Sequence, residues 1–255
     1  MKKILSQSYL VLIFSLLYIP VLVLVSYSFN QARFSLQWQG FSLKWYYELL
    51  NDRSLWTALL HSIFLGLTAS LIATSMGLLA SVRLFLYKGT KKSGFFTLLL
   101  LLIIIPDIVL GVALLIFFNI TQIQLGFISL LIAHVTFCLP FVILTIHARI
   151  KTLNPNIYFS ALDLGASKAR AFIKVLLPLL WPSIFSAFLL CFTLSFDDVI
   201  ISYFIAGPDY SILPLTIFSM VRSGVSPELN ALCTFTFVFS MFIVILSYRL
   251  SGKKQ

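Results

Sequence analysis

Charged residues are scarce in this chain. They fill only 10% of 255 positions, against about 25% in soluble domains. With 60% hydrophobic residues and a mean hydropathy of +1.03, that scarcity excludes a soluble globular domain and marks an integral membrane protein. Acids are scarcer still, 8 Asp and Glu against 18 Lys and Arg, for a formal net charge of +10. Such a balance can mark a nucleic-acid binder. Here the bases are scattered over short loops rather than gathered on one helix face, which fits membrane topology and no nucleic acid.

Other absences narrow the chemistry. Cys138, Cys191 and Cys233 sit singly in three apolar segments, with neither disulfide pairing nor metal-site spacing, and read as packing residues. His61, His134 and His147 are dispersed and form no metal site. The stretch GTKKSG at Gly89 to Gly94 lacks the spacing of a phosphate-binding loop, so any ATP chemistry is expected from another chain. No serine or cysteine nucleophile is paired with a base, so no catalytic constellation is found and an enzyme is not expected. A membrane enzyme on lipid-linked substrates would need His, Glu or Arg clustered at one interface. A proton-coupled secondary transporter would be expected to show two related halves, and none is visible.

What the chain does have is long apolar runs. Between Lys3 and Arg33 no residue is charged, and the run is too long for a signal-peptide core and lacks a small-x-small cleavage site. It is expected to stay as a first span over 8–29. Five more follow over 57–82, 94–118, 125–147, 182–205 and 231–248, each long enough to cross about 30 Å of hydrocarbon. The expectation is a single permease-like domain over 1–255, with six spans and both termini on one side. That side collects Lys2, Lys3, Arg83, Lys88, Lys91 and Lys92, then Arg149, Lys151, Lys168, Arg170 and Lys174, then Arg249, Lys253 and Lys254. The other holds only Arg33, Lys44, Arg53 and Arg222. Positive charge marks the cytoplasmic side. The connection from Arg33 to Trp56, with Trp38, Trp45, Tyr46 and Tyr47, suits the outer interface.

The segment 150–178 is basic, amphipathic and cytoplasmic by this reading. Gly165 permits a tight turn, Ser167 is suited to cap a second helix, and that helix is expected to run through Phe172, Ile173, Leu176 and Leu177 until Pro178 stops it. On these residues alone it either lies in the lipid interface or plugs into a partner.

Ionisable residues inside spans mark function by default. Asp107 lies fifteen residues beyond Lys92, and Asp197 fifteen beyond Pro182, with Asp198 beside it. At 1.5 Å per residue both would stand roughly 22 Å from the cytoplasmic end, in one layer with no basic residue at similar depth. The two readings are acids that cap helix breaks and acids that line a cation path, and the second is favoured. Ser195, Ser202, Tyr203 and Phe204 could add hydroxyls and cation–π faces. His134 is expected to bond to a neighbouring helix.

The run Ala161-Leu162-Asp163-Leu164-Gly165-Ala166-Ser167, followed by Pro178 in a Leu-Leu-Pro, resembles the "EAA" coupling loop of ABC importer permeases. Phe159 stands where that family usually has glutamate. Runs such as Pro106-Asp107-Ile108-Val109, Phe192-Thr193-Leu194-Ser195-Phe196-Asp197-Asp198-Val199 and Gly207-Pro208-Asp209-Tyr210 resemble its polyamine-transporting members. The resemblance implies an all-α bundle of the type I (MetI-like) importer kind, with a cytoplasmic coupling helix pair. It implies ATPase coupling through Ala161, Asp163, Leu164, Gly165, Ala166, Leu177 and Pro178. The substrate path would use Asp107, Asp197, Asp198, Ser195 and Tyr203. Docking of a periplasmic polyamine-binding protein would fall to Trp38, Asp209, Arg222 and Glu228. It further implies a homologous permease subunit, an ATPase pair using ATP and Mg, and no cofactor in this chain. The alternative is the same class moving an iron complex, thiamine or a sugar.

Overall fold

The computed structural model describes residues 2–32, 37–86, 92–224 and 227–251. Arg33, Lys88, Lys91, Lys253 and Lys254, which entered the charge argument, lie outside the described residues. Among the described residues the chain is helical, apart from one isolated antiparallel bridge between Asn30 and Phe41. Apolar runs in hydrocarbon leave the backbone no partner but itself, and helices satisfy every N–H and C=O within the segment.

In chain order α1 covers Lys2–Tyr27, α2 Lys44–Asn51 and α3 Arg53–Leu86. Asp52 starts α3, its Oδ1 accepting from the N–H groups of Ser54 at 2.8 Å and Leu55 at 3.2 Å. Next come α4, Lys92–Ile104, and α5, Asp107–Ile120. The two are bent by 103°, so the expected span 94–118 is not one straight helix. Pro106 has no N–H to donate and its ring blocks the preceding turn. Asp107 therefore opens a new helix, and its depth cannot be counted along one axis from Lys92; the common 22 Å rise fails for it.

Beyond these lie α6, Phe127–Thr152; α7, Asn156–Asp163; and α8, Lys168–Ala171. A π-helical turn over Phe172–Leu176 joins α8 to α9, Leu177–Phe196. The helix thus runs unbroken over Lys168–Phe196, and Pro178 does not end it. The wide turn, in which the Leu177 N–H reaches back to the Phe172 carbonyl, absorbs the bond that Pro178 cannot make. The expected span 182–205 is also divided: α9 stops before Asp197 and α10 covers Ile200–Ile205. The chain closes with α11, Leu213–Ser223, and α12, Pro227–Ser251, which covers the sixth expected span.

The chain divides into two compact units, Met1–Trp56 with Thr216–Gln255, and Thr57–Leu215. In the first, α12 packs on α1 and α2. The connection after α1 is organised by Asn30, whose carbonyl accepts from Trp45 Nε1 at 2.7 Å and whose side chain bonds the Gln37 carbonyl and the Gln39 N–H.

In the second unit α6 packs on α9 and α5 on α10. Among the described residues three apolar clusters build it. Phe118, Leu130, Ile201 and Ile205 form one, Ala73, Val142, Ile146 and Ala187 another, and Val82, Ile150, Tyr158, Leu176 and Leu180 the third. The third cluster roots the 150–178 segment in the bundle through the buried ring of Tyr158.

Candidate substrate path and coupling surface

The division between α9 and α10 gathers most of the polar side chains expected to matter. Asp197 ends α9, its N–H bonded to the Thr193 carbonyl at 3.1 Å, and its side chain is exposed. Asp198 turns the other way and is buried. Its Oδ1 accepts the Ile201 N–H at 3.3 Å, and its Oδ2 accepts both the N–H and the hydroxyl of Ser202 at 2.8 Å. A carboxylate satisfying the first free N–H groups of a helix is the usual device for starting one. Asp198 thus makes the contact that the helix-capping reading describes, while Asp197 remains open to solvent.

His134 meets Asp198. Its Nε2 lies 3.7 Å from Asp198 Oδ2 and 3.0 Å from Ser202 Oγ, and its Nδ1 lies 2.6 Å from Ser195 Oγ. His134, Ser195 and Ser202 are all buried. A bond from His134 to a neighbouring helix is what the sequence led us to expect. That it spans both α9 and α10 is new, and no spacing signal foretells it, since 61 and 68 residues separate the partners.

Asp107 is half-buried on the first turn of α5, where the free N–H groups and helix dipole favour a carboxylate. One turn on, a β-carbon at Gly111 would stand 3.4 Å from Ile201 Cα and 3.0 Å from the Phe204 ring. The start of α5 is therefore held against the start of α10. The structure brings Ser195, Asp198 and His134 together, with Asp197 adjacent in the chain. Tyr203 is exposed, its ring edge-on to Phe204.

At the other end of α9 the 150–178 segment has the expected turn and cap. Gly165 takes φ +84°, its N–H bonds the Leu162 carbonyl, and the Ala166 N–H bonds the Ala161 carbonyl. Ser167 Oγ accepts the Arg170 N–H at 3.3 Å. Leu164 is 89% exposed, with Ile157, Phe159 and Asp163 also exposed. Leu177 is half-buried and Pro178 exposed, and Lys168, Arg170 and Lys174 are exposed on the same segment. This is an apolar surface rimmed by bases.

Of the proposed outer docking residues, Trp38, Arg222 and Glu228 belong to the first unit and Asp209 to the second. Trp38 is exposed and edge-on to Tyr27, and Arg222 lies over the Phe218 ring. Burial first, then the nearby charges of Asp52 and Glu48, push the Glu228 carboxyl above its ordinary range.

A helical bundle with an exposed apolar turn at one end of α9 and acids at the helix breaks is the arrangement expected of a membrane permease subunit. Residues 73–254 match the model for "Binding-protein-dependent transport system inner membrane component", and the chain belongs to that family, multi-pass proteins of the inner membrane. It is 43% identical over 252 residues to the spermidine/putrescine transport system permease protein PotC of Escherichia coli K12, covering 99% of this chain and 96% of that one. The Haemophilus influenzae PotC is likewise 43% identical, over 98% of each chain. The E. coli putrescine transport system permease protein PotI is 38% identical over 88% of this chain and 83% of its own. The fold matches a chain of a bacterial ABC transporter involved in the import of the acidic polysaccharide alginate, with a TM-score of 0.78 at 15% identity, over 99% of this chain and 96% of that one.

Proposed function

We propose that this chain is a permease subunit of an ATP-driven importer that passes polyamines, spermidine or putrescine, across the inner membrane by alternating access. The observation that carries the reading is the acid pair at the α9–α10 break, with Asp197 open and Asp198 buried in spans whose sequence contains no Lys or Arg. A polycation stripped of water needs fixed negative charge along its path, and a sugar would not. The near-full-length similarity to permeases named for these substrates supports the same choice.

In this reading Asp107, Asp197, Ser195 and Tyr203 line or shape the path, and Asp198 holds the break on which Asp197 stands. ATP and Mg are used by a separate ATPase pair, which receives Leu164, Phe159 and the turn at Gly165; Ala161, Asp163, Ala166, Leu177 and Pro178 complete that surface. A homologous permease subunit forms the other half, lipid surrounds the bundle, and both termini face the cytoplasm. A periplasmic polyamine-binding protein docks on the outer connections with Trp38, Asp209, Arg222 and Glu228.

The test is uptake of labelled spermidine and putrescine by proteoliposomes carrying the whole complex, native against Asp197→Asn and Asp107→Asn. Uptake should collapse while assembly and ATP hydrolysis persist. A correctly assembled native complex that moves neither polyamine sinks the substrate assignment and leaves the family.

A further inference from the structure

His134 has no part in the path just described, yet its ring is 1% exposed and meets Ser195 on α9, Ser202 on α10 and Asp198 in the break between them. The proton order in that network follows from the distances. Ser202 donates its hydroxyl proton to Asp198 Oδ2 at 2.8 Å, so its oxygen is left to accept from His134 Nε2 at 3.0 Å. A neutral imidazole carrying its proton on Nε2 has a bare Nδ1, which accepts from Ser195 Oγ at 2.6 Å. The bonds therefore run one way, from Ser195 on α9 through His134 on α6 to Ser202 on α10, and end on the Asp198 carboxylate. Bonds aligned in this manner polarise one another in a medium of low dielectric.

The two helices so joined are those that flank Asp197. Their axis is broken over Asp197–Val199, and the bond from the Asp197 N–H to Thr193 fixes only its α9 side. Resting on the polyamine path proposed above, we infer that His134 is a positioning residue: by bridging Ser195 and Ser202 it fixes the angle between α9 and α10, and so where the Asp197 carboxylate meets the passing cation.

The role separates from plain core filling by chemistry. Glutamine offers an acceptor and a donor as far apart as the two imidazole nitrogens, whereas leucine fills similar space and offers neither. His134→Gln and His134→Leu are placed in the whole complex in proteoliposomes, and the KM and maximal rate of spermidine uptake are measured per assembled complex. Losing bonds that feed a buried carboxylate should raise KM about tenfold or more in His134→Leu, with His134→Gln staying near the native value. A second readout needs no substrate. The rate at which a cationic thiosulfonate labels Asp197→Cys should change severalfold beside His134→Leu and stay native beside His134→Gln, with the parent chain's own cysteines as background.

Unchanged KM and labelling in His134→Leu overturn the inference, as does equal loss of maximal rate in both variants with labelling unchanged. Should His134→Leu not assemble, the combined Ser195→Ala and Ser202→Ala variant replaces it, with the same two outcomes. If the native complex moves no polyamine, the substrate reading fails and the labelling arm alone decides the place of His134.

Discussion

The backbone of Gly207 lies so close to the Leu125 carbonyl that a β-carbon at 207 would overlap it. The obstacle is main chain on both sides, which cannot swing away as a side-chain tip can. Gly207→Ala should destabilise the purified protein by about 1–3 kcal/mol, read as a lower Tm. Gly94, in α4, has nothing within 4 Å of the same imaginary atom. Gly94→Ala should instead be neutral or stabilising by up to about 1 kcal/mol. Equal effects at the two sites would contradict the contact.

Ser167 is the side chain that starts the second helix of the 150–178 segment. Ser167→Ala should cost about 1 kcal/mol locally. The cost should appear as faster hydrogen exchange over Lys168–Ala171, with exchange in α6 unchanged.

Leu164 spends almost its whole side chain in solvent, so replacing it leaves the isolated subunit's stability intact. Leu164→Asp should keep the Tm within about 0.5 kcal/mol of native. It should also lower co-purification of the ATPase and transport-coupled ATP hydrolysis. A variant that binds and couples as the native chain does would remove this loop from the interface.

Glu228 supplies a pH test. Its pKa is raised in the folded protein by burial and by Asp52 and Glu48, so the native state holds its proton more tightly than the unfolded one. The stability this group contributes is full below the unfolded value of about 4.3 and is lost as pH rises through the folded value. Glu228→Gln, which resembles the protonated form, should therefore melt higher than native at neutral pH, the gap closing as pH falls toward 4. A gap that stays constant with pH would contradict the shift.

Much of this was legible in the chain. Charge-free runs marked where long helices form, because long apolar stretches in lipid have essentially one backbone solution. Gly165 and Ser167 announced their turn and cap through local chemistry that needs no distant partner. The breaks were harder. Pro106 lies inside a run that reads as one span, and the 103° bend there goes with the bedding of α5 onto Ile201 and Phe204, contacts about a hundred residues away. Pro178 misled in the opposite direction, because a widened turn can swallow a missing donor and single-residue rules assume the regular helix. For Asp197 and Asp198 the sequence saw two equal acids. Their division into one open and one bonded group was decided by Ser202 and His134.

The widened turn at Phe172–Leu176 amounts to one surplus residue in an otherwise ordinary rod. Each residue of such a rod turns the chain by about 100°. The wide turn, however, spends its surplus residue on closing one round rather than on extra rotation. Shortening 172–176 by a single residue would thus restore a uniform spiral and draw Ser167 and the loop before it toward α9 with little turning about its axis. The placement of the 150–178 segment is in this sense written in residue count as well as residue type. Grafting the loop between sister subunits will succeed only where both carry the same number of residues between serine cap and proline.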